Sequence, residues 1–366
     1  MHDPVLSRLA ERIRAAADAG QPLLITGGGS KRFYGEPSAG AAEALSTLEL
    51  QGVTSYEPTE LVVTVRAGTP LADLEALLAS RGQYLPFEPP HFGGGATVGG
   101  MVAAGLSGPA RASVGAVRDY VLGATVVNGR GEVLTFGGQV MKNVAGYDVS
   151  RLMAGAMGTL GLIAEVSLKV LPFARAEATL RFEMTQAQAL ERLNAWGGQP
   201  LPLNASAWVD DRGTPTLFLR LRGAVAAVEA AFRSLGGEPQ HDVAGDWAAS
   251  RDLALPWFEE RAGRDLWRLS VPQTAPVLDL PEAPYIEWHG AQRWVRADPR
   301  DAEGIRRAAR AAGGSATLFI AGEVEGAGRT GRLDPLPAAV ERIHRGLKQA
   351  FDPAGILNPG RLYPGI

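Results

Sequence analysis

The chain has 366 residues, 46% of them hydrophobic, a formal net charge of −3 and no cysteine. That length suggests about two domains of roughly 150 residues each, with cores large enough to fold without cross-links. The near-balance of charge leaves no basic footprint for nucleic acid, and the missing thiols exclude disulfides, cysteine nucleophiles, cysteine-ligated iron–sulfur clusters and a flavin tethered through sulfur. No apolar run approaches the 18 residues of a membrane span, and the opening Met1-His2-Asp3-Pro4 is not a signal peptide, so a cytoplasmic protein is expected, without direct membrane insertion and open to membrane association only through partners.

In chain order, residues 4–19 read as a helix with Leu6, Leu9 and Ile13 on one face, closed by Gly20 ahead of a strand over 22–26. A glycine cluster follows at once, Thr26-Gly27-Gly28-Gly29-Ser30, with Lys31 and Arg32 beside it. Backbone without Cβ lets successive N–H groups approach an anion, and adjacent cations make the bond to a phosphate charge-assisted. The segment does not match G-x-G-x-x-G and no long helix can start after it, which disfavours a nicotinamide-binding Rossmann domain.

A strand is predicted over 61–65, then a helix with Thr69 as N-cap, Pro70 at its first position and Leu71, Leu74, Leu77 and Leu78 as its buried stripe. The second glycine loop is Gly93-Gly94-Gly95-Ala96-Thr97-Val98-Gly99-Gly100, followed by the small residues 101–105, which leave room for a flat ring or another backbone. Two backbone cradles in one chain suggest one long, phosphate-bearing ligand such as a flavin dinucleotide. Strands over 119–127 and 132–136 flank the hairpin signal Asn128-Gly129-Arg130-Gly131, a short helix covers 147–153, and a strand over 162–171 alternates until Pro172 stops it.

Beyond Pro172 the glycine loops vanish, and a smaller α+β cap is expected. It contains a strand over 217–221, a helix over 225–235 and a strand over 286–295 carrying Trp288 and Trp294; the tryptophans read as core. A helix over 337–350 with Val340, Ile343 and Leu347 on one side leads into the tail 351–360. The expected division is 1–172, 173–314 and 315–366, the last packing back on the first. The five histidines, His2, His91, His241, His289 and His344, are scattered, so no metal site is expected; only His91, beside the second glycine loop, is singled out.

These markers together resemble the FAD-binding fold of the vanillyl-alcohol oxidase and p-cresol methylhydroxylase superfamily: 25–30, Glu57-Pro58 with 61–68, 96–100, 115–119, Gly158-Thr159-Leu160-Gly161 and 351–360. The stretches 89–108 and 140–148 resemble, within it, the small FAD-binding subunits of glycolate oxidases. The resemblance implies a two-part α+β FAD-binding domain with a cap. It implies a pyrophosphate on the loop Thr26, Gly27, Gly28, Gly29, Ser30 and Lys31, and a flavin ring near Ala96, Thr97, Gly99, Gly100, Gly115, Arg118 and Asp119, with Leu162, Ile163 and Asn358 completing the pocket. Lys142, Arg118 or His91 would supply positive charge near the reduced flavin.

Members with covalent flavin carry a histidine at the first loop, where this chain has Ser30-Lys31, so non-covalent FAD is expected. The paired histidines that hold a metal in related 2-hydroxy-acid dehydrogenases have no equivalent here. The implied activity is oxidation of glycolate, a small 2-hydroxy acid, to glyoxylate in a complex with a larger FAD-binding catalytic subunit and an iron–sulfur subunit. A non-catalytic flavoprotein subunit and a stand-alone oxidoreductase of the same fold remain the alternatives.

Overall fold

The computed structural model describes residues 3–37, 42–138, 148–211, 213–322 and 331–366. The chain divides into two compact units: Met1–Leu106 with Ala116–Pro172 and Pro335–Ile366, and Ser107–Gly115 with Phe173–Asp334. The break at Pro172 lies where the strand pattern ends. Two stretches depart from the division read in the sequence. Residues 315–334 stay with the second unit because strand Ser315–Ile320 pairs antiparallel with Asp265–Ser270. Residues 107–115 join it because the Trp288 indole donates to the Gly108 carbonyl at 3.0 Å and the Arg111 guanidinium lies 4.4 Å over the Trp288 ring.

In the first unit, helix Pro4–Ala19 starts at Asp3, whose carboxylate accepts from the Val5 and Leu6 amides, and ends at Gly20 in the left-handed region. Its buried Leu9, Ala10, Ile13 and Ala16 pack with Leu23, Leu45, Val127, Leu162 and Leu357 in one core cluster. Each buried leucine or isoleucine contributes about 2 kcal/mol, which holds the helix against these strands and the tail. Strand Leu23–Thr26 pairs parallel with Glu43–Ser46, and the tail joins on the other side through a parallel bridge between Leu23 and Leu357.

Five further strands form an antiparallel sheet in the order Val53–Glu57, Val62–Arg66, Leu162–Lys169, Val121–Val127, Val133–Gly137. Asp119 lies in a short helix, Val117–Tyr120, and not in the strand expected from 119 onward. The ladder between Val121–Val127 and Leu162–Lys169 shifts register where Thr125 pairs with Glu165 and Val126 with Ile163. That bulge breaks the strict alternation read over 162–171: Leu162 and Ala164 enter one core cluster, Val166, Leu168 and Val170 the other.

Helix Leu71–Ala79 has Pro70 at its cap position, one residue later than the expected Thr69 cap. Thr69 is used elsewhere, its hydroxyl accepting from the Gly52 amide at 2.9 Å. A helix with Leu71, Leu74 and Leu78 buried results all the same.

Among the described residues the second unit carries an eight-stranded antiparallel sheet running Glu238–Gln240, Ala176–Glu183, Thr214–Gly223, Leu203–Asp211, Tyr285–Glu287, Gln292–Ala297, Asp265–Ser270, Ser315–Ile320. Helices Gln186–Gly197 and Val225–Leu235 pack Leu190, Leu193, Trp196, Val228 and Ala231 against Leu217, Leu219 and Leu221. The single strand expected over 286–295 is two strands reversed at Trp288–Gly290, where Trp288, His289 and Gly290 all take positive φ (53°, 55° and 103°). Strand-forming residues on both sides, Tyr285 and Ile286 before it and Trp294 and Val295 after it, hide the reversal, because the two stretches read as one strand.

Candidate functional site

The first unit contains a cavity of about 330 Å³, within the size range of ligand sites. It is built where the carboxyl end of strand Leu23–Thr26, the helix Val98–Ala104, the strand Leu162–Lys169 and the C-terminal tail meet. Thr26 to Lys31 line one side; Thr97, Gly99, Gly100, Ala103 and Ala104 another; Ile163 and Gly158 a third, and Asn358 and Arg361 come from the tail.

The two glycine loops touch, backbone on backbone. A Cβ at Gly28 would run into the Gly95 carbonyl, one at Gly27 into the Thr97 hydroxyl, and one at Gly95 would lie 2.9 Å from the Gly28 carbonyl. The glycines of 27–28 therefore serve close approach first. That approach leaves the loop's amides turned away from any protein partner: among the described residues, the N–H groups of Gly27, Gly28, Gly29 and Ser30 donate no hydrogen bond.

Uncommitted amides at a cavity wall demand an acceptor, supplied by water or by a ligand anion. Lys31, Arg32 and Arg361 line the same cavity, and among the described residues no aspartate or glutamate does. The Lys31 ammonium rests 3.2 Å from the Ser30 hydroxyl and 3.4 Å from the His91 carbonyl. Donors, cations and the flat apolar surface of Ala103, Ala104 and Ile163 fit a ligand with a doubly charged pyrophosphate and a planar ring, as FAD has.

Of the residues singled out in the sequence, Thr26, Gly27, Gly28, Gly29, Ser30, Lys31, Thr97, Gly99, Gly100, Ile163 and Asn358 line this cavity. Ala96 is buried behind it, its carbonyl taking the Leu71 amide at 2.8 Å. Leu162 points into the core because neighbouring strand residues face opposite ways. His91 does not reach the cavity: its Nε2 meets the Glu75 carboxylate at 2.9 Å. Gly115 belongs to the second unit, where its amide donates to the Arg111 carbonyl. Arg118 and Asp119 are exposed on the short helix, and Asp119 accepts from the Ala116 amide at 2.8 Å. Lys142 lies outside the described residues.

Asn358 is a brace as well as a wall. Its Oδ1 accepts from the Ile25 amide at 2.6 Å and its Nδ2 donates to the Met157 carbonyl at 2.6 Å. Sequence reasoning missed Arg361, Thr47, Ala67 and Met157 as lining residues. The Gly-Arg pair directly after Asn358-Pro359 was the available signal for Arg361.

The second unit holds a separate cavity of about 380 Å³ whose lining includes Trp247, Trp257, Tyr285, Phe218 and Arg296. Elsewhere in that unit, His289 sits between two serine hydroxyls, Ser113 at 2.9 Å from Nε2 and Ser206 at 3.1 Å from Nδ1. Burial with no carboxylate among those partners lowers its pKa from 6.5 to about 4, so the imidazole is neutral at neutral pH.

Comparison with known proteins places this geometry in context. A family profile described as an FAD binding domain matches residues 6–137. The chain is 46% identical over 356 residues to the glycolate oxidase subunit GlcE of Escherichia coli (strain K12), covering 97% of this chain and 96% of that one. It is 33% identical over 159 residues to a D-lactate dehydrogenase of Anaerostipes hadrus, and 30% identical over 159 residues to the glycolate oxidase subunit GlcD of Bacillus subtilis (strain 168). These two matches span 43% of this chain and only 33% and 34% of those proteins. Among solved structures, an alkyldihydroxyacetonephosphate synthase superposes with a TM-score of 0.65 at 16% identity, over 96% of this chain and 74% of that one, which is a likeness of fold. The uncommitted amides of 27–30 thus sit in an FAD-binding domain, and the chain belongs to the family of FAD-dependent oxidoreductases that includes the glycolate oxidase subunit GlcE.

Proposed function

We propose that this chain is the FAD-carrying subunit of a complex that oxidises glycolate to glyoxylate, working beside a larger FAD-binding catalytic subunit and passing electrons to an iron–sulfur subunit. The observation that carries the reading is the cavity of the first unit, where the uncommitted loop amides meet Lys31, Arg32 and Arg361 among the lining residues, in a chain similar over nearly its whole length to a glycolate oxidase subunit. Bound FAD supplies the two-electron redox chemistry. The chain's own part is to bind and orient. The amides of Gly27 to Ser30, with Lys31 and Arg32, would hold the pyrophosphate, and Ala103, Ala104 and Ile163 would give the ring a dry, flat wall.

Iron–sulfur clusters need ligands this chain lacks, since it contains no cysteine. The attachment is non-covalent on the same reasoning: no histidine is among the described residues lining the cavity. A second reading, in which the chain carries FAD without oxidising substrate itself, has one observation in its favour. The same lining offers neither histidine nor carboxylate to take the proton of a hydroxyl group.

Anaerobic addition of glycolate to the purified, FAD-loaded chain, alone and with its co-expressed partners, separates the readings. Bleaching of flavin absorbance only when the partners are present supports the proposed complex. Bleaching by the chain alone at the rate of the complex removes the need for partners, and a complex that glycolate does not reduce removes glycolate.

A further inference from the structure

One short stretch of the C-terminal tail grips the anion loop at both of its ends. Before the loop, Asn358 takes the Ile25 amide on its Oδ1, two residues ahead of Gly27. After the loop, Arg361 donates from Nη1 to the Glu36 carbonyl at 2.5 Å and from Nη2 to the Tyr34 and Arg32 carbonyls at 2.5 and 3.4 Å. The Arg361 carbonyl in turn accepts from the Glu36 amide at 3.0 Å. A Cβ at Gly35, which has φ 84°, would lie 2.8 Å from that carbonyl. The four uncommitted amides lie between these two grips.

The tail itself is anchored behind them. The Lys348 ammonium is buried, paired with Asp352 at 2.8 Å and donating to the Thr159 and Leu357 carbonyls. The Asp352 carboxylate accepts from the Ile356 and Leu357 amides. The tail that holds the loop is thus itself tied down by a buried ion pair and four hydrogen bonds.

We propose that Arg361 is a positioning residue for the pyrophosphate of FAD: its planar fork fixes the carbonyls of 32–36 so that the amides of 27–30 keep their aim, and tail docking and FAD binding are thereby coupled. The inference rests on reading 27–31 as the pyrophosphate loop. Three carbonyls held by one guanidinium cannot be held the same way by an ammonium, which is a point charge without a fork. Coupling of this kind is reciprocal, so FAD must steady the tail as much as the tail aids FAD.

The test titrates FAD into the full-length apo chain, as wild type, Arg361→Lys, Arg361→Met and Lys31→Met, and follows hydrogen exchange at 356–366 with and without FAD. FAD affinity should fall about tenfold in both Arg361 variants, the scale expected when charge-assisted bonds to carbonyls are lost. In the wild type, FAD should slow exchange in the tail. Wild-type affinity, within about twofold, in Arg361→Lys would overturn the positioning role in favour of simple charge, and so would tail exchange in the wild type that ignores FAD. The wild-type exchange decides even where a variant does not fold. Unchanged affinity in Lys31→Met would instead remove the loop assignment on which the inference stands.

Discussion

A methyl group at Gly28 has nowhere to go, because its position is already occupied by the carbonyl of Gly95. Gly94, one residue away on the facing loop, has open space around a built Cβ and an ordinary φ. Gly28→Ala should therefore abolish FAD loading, whereas Gly94→Ala should load like the wild type; flavin content per chain after purification checks both. The run Gly93-Gly94-Gly95 reads as one uniform signal in sequence, yet its members differ, since the close contact that demands Gly95 comes from residue 28. Lys348 and Asp352 make a second pair of residues whose importance the sequence conceals. Burial pulls the Lys348 ammonium's pKa down, and the Asp352 carboxylate partly restores it. Lys348→Met should strand Asp352 as a buried, unpaired charge and cost about 3–5 kcal/mol in chemical denaturation. Lys348→Met with Asp352→Asn should recover part of that loss, since the neutral amide oxygen can still accept from the Ile356 and Leu357 amides, and a single variant as stable as the wild type would contradict the buried pairing.

At the scale of elements, the helices over 4–19 and 225–235 were legible to the residue, with Gly20 and Gly236 marking their ends locally. The reversal at Trp288–Gly290 was not, since nothing local announces left-handed tryptophan and histidine. Its environment is long-range: Ser206 from one strand and Ser113 from the inserted segment hold the His289 ring, and Gly108 takes the Trp288 indole. The turn carries a pH signature. Unfolded, His289 binds a proton near pH 6.5; folded, burial holds the pKa at about 4. Between those values the unfolded chain binds the proton that the folded chain refuses, so this group's contribution is complete above pH 6.5 and is lost as pH falls toward 4. The urea midpoint should drop over that window, and His289→Asn, which tolerates positive φ, should show a shallower drop. Identical slopes in the two proteins would take His289 out of the acid sensitivity.

For the whole molecule, the two glycine loops that meet at the cavity and the order of the family's markers could be read directly, because each is written in contiguous residues. What could not be read is what the fold brings from afar. His91 was singled out by its place next to a glycine loop, but Glu75, on helix Leu71–Ala79, takes its ring. Residues 107–115 were assigned with the sequence around them, while their partners lie some 180 positions on, at Trp288. Arg361 and Asn358 reach the cavity only because the tail returns to pair with Leu23–Thr26.

The measurement that bears most directly on this account is an FAD titration of the full-length apo chain followed by acid precipitation. The account predicts one FAD bound per chain and all of it released into the acid supernatant. A chain shown by circular dichroism to be folded that binds no FAD, or that keeps flavin fluorescence in the washed pellet, would contradict it.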